Sequence, residues 1–598
     1  MHKKTLIRMA IAASIIGLVV MSCDPKETDE DGASPLPVSI PAPQPDPTPD
    51  PVPTPVPPAA EPATYASRTS GVAPLAVFFD AVSTTSPAFD SGVVQPANGD
   101  YNSFHYSWNF GDPNSGTWST DGRSRNLDTG YTAAHVFESA GVYDVQLTVT
   151  DASGAVHAYV QEITVAAFTG TTYYVSSVSG NNSNDGLTES TPWQTVSRAF
   201  QSLAPNRRFL FKRGETFPVS SSNTLNVDGP GIIGAYGTGA KPVWSHSGGN
   251  PIVMNNPDWR IMDIRMTTTL GTGDVGIVSA YNVPVSNYLL LRVDLSNFRI
   301  NVISAMNSAA SIHDLMFLVE CSSMTPNEYA AILDGRRQAV LGCTMGEINT
   351  MQHVLRSGML DKGTISHNYF HTHNGHHTIK LHSTTHGSGL PVTRFVKISD
   401  NHLRGGVWTV AMGPQNSSYD ERVTQIVVER NLFDTESTTQ VGLQIYAQDV
   451  SVRNNVFVGT GAAWYTGASV DDGGTVPAAT RVRICNNTFY KADSGSGFSG
   501  IYVSSQVSNV TIQNNLSSAP LLNGDVLIQG SCPGLVADSN LVTDNAGFVD
   551  AAAGDYSLTS NSPARNDGLT LVGVIDDFTG FVTRPQGMAT DLGAFERD

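Results

Sequence analysis

The sequence is short of charge, of cysteine and of long apolar runs. Only 15% of its 598 residues are charged, and 53 Asp and Glu outweigh 34 Lys and Arg, so the net charge is −19. Such a surface as a whole repels nucleic acid and anionic lipid, which excludes a general role in binding either one. The four cysteines beyond Cys23 lack metal-site spacing. The 55 glycines that accompany this low charge favour β-structure with many turns.

An apolar stretch over residues 9–21 follows a basic N-terminal start. It is shorter than the roughly 20 residues that a membrane-spanning helix needs, and it has the layout of a secretory signal. It ends in Val20-Met21-Ser22-Cys23, which resembles the lipobox of bacterial lipoproteins; an ordinary signal peptide with an incidental cysteine is the alternative. The resemblance implies that residues 1–23 are a signal peptide and that a lipid on Cys23 anchors an exported protein in the cell envelope. The anchor would be the protein's one contact with a membrane, at the outer membrane, the cell surface or the periplasmic side.

Residues 24–64 form a proline-rich segment, with proline at nearly every second position over residues 45–58. A segment of this composition buries no core and is extended at about 3 Å per residue. We expect a disordered linker that holds the rest of the chain away from the membrane.

Short alternating strands with turn residues follow over residues 65–168. Trp108-Asn109-Phe110-Gly111-Asp112 and Gly141-Val142-Tyr143-Asp144-Val145 resemble strands of PKD-type domains, which are immunoglobulin-like β-sandwiches. Trp108 and Phe110 are expected to point into the core, and Gly111-Asp112 to form a turn. We assign no chemistry to this domain, because the resemblance implies a spacer or a weak contact with glycan.

Residues 170–598 have the pattern of a parallel β-helix. Tyr173-Tyr174-Val175 and Pro192-Trp193-Gln194-Thr195 resemble the opening turn and capping helix of many exported β-helix proteins. Strand-then-asparagine units then recur, and each unit is interpreted as one coil with a loop of variable length. The asparagines are spaced by 33, 30, 24, 32 and 28 residues at Asn368, Asn401, Asn431, Asn455, Asn487 and Asn515.

We expect these asparagines to be structural, because asparagine tolerates left-handed backbone angles and can ladder its amide between coils. The sequence therefore predicts an all-β protein, in which an immunoglobulin-like (PKD) β-sandwich precedes a right-handed parallel β-helix.

One face of the predicted coils gathers polar side chains. In the strand around residues 377–382, the period of two places Ile379 and Leu381 in the core and turns Lys380 and His382 outward. Arg356 precedes Lys380 by 24 residues, which is one short coil, and stacked coils are about 4.8 Å apart. The outward column and its surroundings are predicted to contain Asp334, Arg356, His377, Lys380, Trp408, Gln444, Tyr446 and Tyr502.

Histidine is concentrated near this column. Nine of the 15 histidines fall between residues 353 and 404, together with six Lys or Arg and two Asp. A basic, histidine-rich island on an acidic protein indicates a local site for an anion. A solvated polar face is the alternative.

Several exported polysaccharide lyases share the predicted fold. Elimination across a uronic acid requires a neutralised carboxylate, a base for the C5 proton and an acid for the departing glycosidic oxygen. Arg356 or Arg404 is the candidate for pairing with the carboxylate. Lys380 is the candidate base, if cationic neighbours lower its pKa, and His382 or Tyr446 is the candidate acid. The candidates for substrate binding are Asp334, His377, Trp408, Gln444 and Tyr502.

The resemblance to these lyases is one of fold and chemical inventory. Chondroitinase- and alginate-lyase-type β-helix enzymes also use a lysine and an arginine on neighbouring coils, but here the arginine precedes the lysine, and their acidic calcium cluster is not found. The expected partner is an anionic polysaccharide, with no nucleic acid, and the expected state is a monomer. No cofactor is assigned, and calcium is left open.

Three other interpretations remain open. Two or three of His371, His373, His376 and His377 could bind one Zn²⁺, but there is no HExxH pattern and no metal site is assigned. A glycoside hydrolase on the same scaffold would need two carboxylates roughly 6.5–9.5 Å apart. Asp471-Asp472 resembles the paired aspartates of polygalacturonases, without their accompanying motifs. A non-catalytic surface protein for glycan binding or adhesion is the third interpretation.

Overall fold

The computed structural model of the protein describes residues 61–62, 65–82, 100–269, 274–280, 283–305, 311–348, 350–373, 375–384, 388–414, 420–435, 439–459, 465–472, 478–491, 498–518 and 526–597. The expected signal peptide, Cys23 and almost all of the expected linker lie outside these residues. Helices within the described part are too short or too polar to cross a bilayer.

The first domain is a β-sandwich of two sheets. The larger sheet contains Glu61–Pro62, Ser70–Val72, His105–Asn109, Leu127–Thr129, Gly141–Thr150 and Val156–Ala166. The smaller sheet pairs Leu75–Asp80 with Thr132–Phe137 in antiparallel register. Trp108 and Phe110 are buried in the core, as predicted, and the Trp108 indole donates a hydrogen bond of 2.8 Å to the Gly130 carbonyl.

Three parallel sheets run along the second domain, and each complete coil contributes one strand to each of them. The first sheet contains Thr171–Val175, Arg207–Lys212, Gly231–Tyr236, Trp259–Met262, Ser286–Leu291, Asp314–Val319, Gly335–Leu341, Leu360–Ser366, Thr393–Ser399, Val423–Glu429, Gln448–Arg453, Thr480–Cys485, Ser508–Gln513 and Val536–Asp538. The second sheet contains Thr216–Val219, Val243–His246, Arg265–Thr268, Asp294–Ser296, Ser322–Met324, Thr344–Gly346, Tyr369–Thr372, His402–Gly405, Leu432–Asp434, Val456–Gly459, Thr488–Lys491, Leu516–Ser518 and Leu541–Thr543.

The third sheet contains Thr224–Leu225, Ile252–Met254, Val275–Ser279, Ile300–Ser304, Tyr329–Leu333, His353–Ser357, His377–Leu381, Trp408–Met412, Val441–Ile445, Tyr465–Val470, Phe498–Val503 and Val526–Gly530. The remaining elements are the α-helix Val196–Phe200, the short 3₁₀ turns Tyr101–Ser103 and Ala551–Ala553, and the antiparallel strands Phe548–Asp550 and Asp555–Leu558.

The interior of the solenoid is one continuous apolar core. In His377–Leu381, Ile379 and Leu381 are fully buried, and Ile379 stacks in register between Leu355 and Val410 of the neighbouring coils. The period of two thus turns every second side chain inward along the whole stack. The predicted all-β fold, a β-sandwich followed by a parallel β-helix, is confirmed.

An asparagine ladder joins the coils at the turn between the first and second sheets. Each side-chain Nδ2 donates to the Oδ1 of the next asparagine at 2.8–3.0 Å, and each Oδ1 also accepts the backbone N–H of the asparagine before it. The ladder consists of Asn368, Asn401, Asn431, Asn455, Asn487, Asn515 and Asn540.

The predicted structural role of these asparagines is confirmed, and Asn540 extends the ladder by one coil. The left-handed backbone angle lies one residue earlier than expected, for example at Asn454, whose φ is 54°. The ladder position is therefore selected for its amide hydrogen bonds, and the preceding residue makes the turn.

Replacing Asn455 with alanine is expected to lower the free energy of unfolding by about 3 kcal/mol, because several buried polar groups lose their partners at about 1–3 kcal/mol each. The Asn455 side chain donates to Asn487 Oδ1 and to the carbonyls of Val428 and Arg453. The measurement is the urea midpoint, with the exposed Gln506→Ala as control. If the two variants have the same urea midpoint, the asparagine ladder does not contribute to the free energy of unfolding.

The sandwich packs directly on the outer face of the first sheet. Side chains that point out of the solenoid are apolar there, and they share one buried cluster with the smaller sheet of the sandwich. The cluster contains Ala76, Phe78, Trp118, Ala134 and Val136 from the sandwich and Leu289, Leu291, Leu315, Phe317, Val319, Ala339 and Leu341 from the first sheet. The interpretation of the sandwich as a spacer is therefore wrong, because the outer face of its smaller sheet completes the burial of this part of the solenoid.

Buried ion pairs cross the same interface. Lys362 of the first sheet pairs with Asp80, and Lys397 pairs with Asp128. The Lys397 ammonium also donates to the Thr129 carbonyl at 2.6 Å. Burial raises the pKa of Asp80 to about 6, although Lys362 acts in the opposite direction. Charges buried in this way depend on their partners, so they specify how the two domains fit together.

Candidate functional site

The third sheet stacks four of the predicted residues in one outward column. Arg356 is the direct Cα partner of Lys380 on the next coil. The column then continues through Ala411, Gln444, Ser469 and Tyr502. The sequence reasoning found the correct face but left Ala411 and Ser469 out of the column. Gln444 is buried, and its Nε2 donates to Ser469 Oγ at 3.1 Å.

His382 and Tyr446 lie in the neighbouring column, with Gly413 between them. The three backbone N–H groups bond in succession to the carbonyls of the preceding coils at 2.8–2.9 Å. Gly413 has a φ of 90°, and a Cβ there would lie 2.4 Å from the Tyr446 carbonyl oxygen. No side chain of this column therefore lies between the His382 imidazole and the Tyr446 phenol. The Cα atoms of these two residues are two coil spacings apart, which is about 10 Å.

Lys380 points away from the core, as predicted, but it is only 1% exposed. Its Nζ donates to the Gly413 carbonyl at 2.8 Å. Ala411 and Gly413 on the next coil have little or no side chain, so the lysine can lie across them. Burial lowers the pKa of Lys380 to about 7, Glu421 opposes this shift, and Arg356 adds to it. The expectation of a lysine that faces solvent is corrected: the amine lies beneath the surface and is about half charged near neutral pH.

Three histidines and a tryptophan form an aromatic cluster at the start of the same strands. The His353 and His377 Nδ1 atoms are 2.9 Å apart, and the His376 ring centroid lies 4.7 Å from that of Trp408. Burial lowers the pKa of His353 to about 3, helped by Lys380, and burial also lowers the pKa of His377 well below its usual value. These imidazoles are therefore neutral at physiological pH.

The predicted basic island is not assembled here: of its six Lys and Arg, only Arg356 and Lys380 lie at this site. The others pair with aspartates elsewhere, namely Lys362 with Asp80, Lys397 with Asp128, Arg394 with Asp361 and Arg404 with Asp434.

A carboxylate that the sequence reasoning missed orients His382. Glu421 Oε2 lies 3.1 Å from His382 Nδ1 and accepts the Ser383 N–H at 3.2 Å. Burial lowers the pKa of His382, while the hydrogen bond to Glu421 acts against that shift. The His382 side chain is 23% exposed. A neutral imidazole that donates through Nδ1 has a lone pair on Nε2. His382 can therefore accept a proton at Nε2.

Arg404 lies apart from this site, and Asp334 is not in the column of Arg356, where Ile332 is the Cα partner instead. Arg404 belongs to the second sheet, where its Nε lies 3.5 Å from Asp434 Oδ2, so it does not share a column with Lys380. The Asp334 carboxylate accepts the backbone N–H of Gly358 and so supports the turn of the next coil. Tyr502 shares the column of Lys380 but is four coils away, about 19 Å.

The comparisons with known proteins address the first domain most directly. Residues 72–167 match the family model of the PKD domain. The sandwich is called the PKD domain below. Lacto-N-biosidase of Bifidobacterium longum subsp. longum is 28% identical over 147 residues, which are 21% of this chain and 9% of that protein. The chain thus matches less than a tenth of the length of this curated relative.

Solved structures resemble the whole chain only loosely. A GH136 lacto-N-biosidase from Eubacterium ramulus has a TM-score of 0.41 and 11% identity, over 62% of this chain and 67% of that one. A rhamnogalacturonan lyase has a TM-score of 0.32 and 11% identity, over 64% of this chain and 91% of that one. With scores this low, the description of the fold rests on the strand register of this chain.

Proposed function

We propose that this chain is an exported polysaccharide lyase that cleaves an anionic, uronate-containing glycan by β-elimination. The site would be the outward face of the third sheet around Arg356 and His382. One observation carries the proposal: an arginine, a buried lysine and a carboxylate-oriented histidine meet on adjacent coils. That set combines positive charge for an anion with a group able to accept a proton.

Arg356 is the residue for the substrate carboxylate. It is partly exposed, and Lys380 beneath it adds positive charge whenever the amine is protonated. A guanidinium can hold a carboxylate through two parallel hydrogen bonds. Withdrawal of charge from the carboxylate makes the adjacent C5 proton more acidic, which is the first requirement of the elimination.

His382 is the residue for the C5 proton. Its depressed pKa keeps the imidazole in the accepting form at neutral pH, and Glu421 holds the ring through Nδ1. A positioned base of this kind contributes about 10²–10⁴-fold to a rate. Because His382 is more exposed than Lys380, it takes the base role that the sequence assigned to the lysine.

Tyr446 is the residue that returns a proton to the departing glycosidic oxygen. Burial raises its pKa to about 12, and Asp471 and Asp472 add to the rise, so the phenol keeps its proton at neutral pH. It lies beyond Gly413 from His382, so base and acid stand on opposite sides of a position without a side chain. A glycosidic linkage placed there would have its C5 proton toward the histidine and its leaving oxygen toward the tyrosine.

Hydrolysis is the second candidate, because two carboxylates lie beside Tyr446. The Asp471 N–H donates to the Ile445 carbonyl, which places Asp471 in the column of His382 and Tyr446. Asp472 follows it directly. An inverting hydrolase needs an acid and a base on either side of the scissile bond, and these aspartates could supply one of the two.

Incubation with a panel of uronate polymers distinguishes the two reactions. A lyase generates an unsaturated uronate that absorbs in the ultraviolet, together with new reducing ends, whereas a hydrolase generates reducing ends alone. We expect both signals from the wild-type protein. Reducing ends without absorbance would establish hydrolysis, and binding without either signal would identify a non-catalytic glycan-binding protein.

Replacing Arg356 with glutamine is expected to lower kcat/KM on a uronate polymer by about 10–100-fold, because a hydrogen bond to a charged group contributes about 1.5–3 kcal/mol. The measurement is the rate of absorbance increase. The carboxyl-reduced form of the same polymer, tested for binding, serves as the matched control. If Arg356 recognises the carboxylate, the variant and the wild-type protein bind the reduced polymer equally; a variant with full activity would remove this role.

We also propose that the protein is a monomer and that a lipid on Cys23 holds it in the cell envelope. The lipobox-like sequence that ends at Cys23 supports the anchor. Mass spectrometry of the mature N-terminus tests the anchor directly: an acylated Cys23 supports it, and an unmodified or differently processed N-terminus refutes it.

A further inference from the structure

A group of metal-ligating side chains lies on the second sheet, apart from the site proposed above. The strands Thr344–Gly346 and Tyr369–Thr372 are neighbours there, with Gly346 and His371 in register. Glu347 follows the first of these strands and His373 follows the second. One ligand atom from each of Glu347, His371 and His373 lies within 4.8 Å of the others. Among the described residues, this is the one set of three His, Cys, Asp or Glu side chains with ligand atoms so close together.

We infer that Glu347, His371 and His373 bind one Zn²⁺ or a similar borderline divalent ion. Two imidazoles and one carboxylate are a donor set that zinc accepts in tetrahedral sites with a water as fourth ligand. Calcium and magnesium take oxygen ligands almost exclusively, so two histidines argue against them. The inference does not depend on the proposed lyase activity.

The geometry needs little adjustment to hold the ion. Zinc with bonds of about 2.0–2.1 Å brings its ligand atoms to about 3.3 Å from one another. His371 Nδ1 and Glu347 Oε1 are already 2.9 Å apart, and the His371 and His373 ring centroids are 4.4 Å apart at 80°. Glu347 and His373 follow the ends of their strands, so rotation of these two side chains can close the remaining distance. The ion would bind between His371 Nδ1 and Glu347 Oε1, the two atoms that already face one another.

Access and charge are compatible with an ion. The Glu347 side chain is 38% exposed and that of His371 is 12% exposed, while His373 lies at the surface. The cation nearest in register is Arg404, opposite His371. Arg404 lies beside Asp434 at 3.5 Å and hydrogen-bonds to Tyr369. Asp434, which is not part of the trio, therefore partly neutralises the charge of Arg404.

The structure also separates the four clustered histidines of residues 371–377 into two groups. His376 and His377 contact His353 and Trp408 on the third sheet, where burial lowers their pKa. His371 and His373 remain with Glu347 on the second sheet. Zinc binding should therefore depend on the first two histidines of the segment and not on the last two.

Calorimetric titration of the untagged, full-length protein with ZnCl₂ tests the site. We expect one ion per chain, with the affinity reduced at least about tenfold in His371→Ala, His373→Ala and Glu347→Gln. The matched control is His376→Ala, which should bind as the wild type does. Circular dichroism establishes that each variant is folded.

Cobalt provides a second readout. Co²⁺ bound by the trio should give the intense visible absorption of a tetrahedral site in the wild type and lose it in His373→Ala, which alters an exposed side chain. Three results would overturn the inference: no binding of either ion, binding unaffected by the His373 change, or binding lost in the His376 control.

Discussion

Replacing His382 with alanine is expected to lower kcat on a uronate polymer by about 10²–10⁴-fold, the usual contribution of a positioned general base. The imidazole is neutral because burial lowers its pKa, and Glu421 orients it through Nδ1 at 3.1 Å. Wild-type activity should therefore persist at neutral pH and decline only in acid, below the usual titration range of histidine. Initial rates of absorbance increase across pH measure both effects.

His376→Ala is the matched control for this variant. His376 belongs to the same surface, where its ring lies 4.7 Å from that of Trp408, but it is outside the column of His382. Its loss should weaken substrate binding without removing the base, so KM should change more than kcat. A His382→Ala protein that keeps half of the wild-type kcat would rule out histidine as the base.

Two further variants test how His382 is tuned. Lys380 lowers the pKa of His382 through its charge, while the hydrogen bond that His382 donates to Glu421 raises it. Lys380→Met should therefore shift the acid limb of the kcat profile to higher pH, and Glu421→Gln should shift it to lower pH. If Lys380→Met instead abolishes activity at every pH while the protein stays folded, the base role belongs to the lysine.

Breaking the Asp80–Lys362 pair with Lys362→Met is expected to lower the free energy of unfolding by about 3–5 kcal/mol, because it leaves the Asp80 carboxylate buried without a counter-charge. The two side chains are 7% and 2% exposed at the interface between the PKD domain and the first sheet. The hydrogen bond that Asp80 Oδ1 accepts from Val82 is unaffected by this change, so the variant isolates the loss of the counter-charge. Urea denaturation at pH 7 gives the measurement.

The exposed pair Arg481–Asp449 provides the control, since the arginine side chain is 56% exposed. Arg481→Gln should cost less than about 1 kcal/mol, as exposed ion pairs do. The double variant Asp80→Asn with Lys362→Met should recover much of the stability lost in the single variant. A single Lys362→Met variant as stable as the Arg481 control would show that the interface does not depend on the pair.

The pH dependence of the same pair has a defined sign. The pKa of Asp80 is about 6 in the folded protein, above its ordinary value of 3.8, because burial outweighs the effect of Lys362. The folded state therefore takes up a proton more readily than the unfolded state. The contribution of Asp80 to stability is greatest below the unfolded pKa, falls as pH rises from about 4 through about 6, and is constant above that range.

The fold was predictable because its signals are local and repeated. The period of two around Ile379 and Leu381 identifies the inward face, and the recurring asparagines mark one corner of each coil. Both depend on residues that are close in sequence, so variable loops between coils do not obscure them. The same signals correctly placed Arg356, Lys380 and Gln444 in one column.

The chemistry of the site was less predictable because it depends on contacts between distant segments. Glu421 reaches His382 from 39 residues further along the chain, and no spacing rule links the two. The burial of Lys380 depends on the small residues Ala411 and Gly413 on the next coil, which a loop of variable length separates from it. The packing of the PKD domain on the first sheet was not predictable for a similar reason. It depends on apolar residues, and the same residues are also typical of a strand buried within one domain.

That packing bears on how the protein can be divided for study. A truncated protein that begins at the solenoid would leave Leu289, Phe317 and Leu341 facing water, and contiguous apolar patches of this kind promote self-association. It would also leave Lys362 and Lys397 without the aspartates of the PKD domain that pair with them. The solenoid and its N-terminal neighbour are thus an indivisible pair for expression, and the polymer that we propose as substrate would approach along the flanks that the PKD domain leaves uncovered.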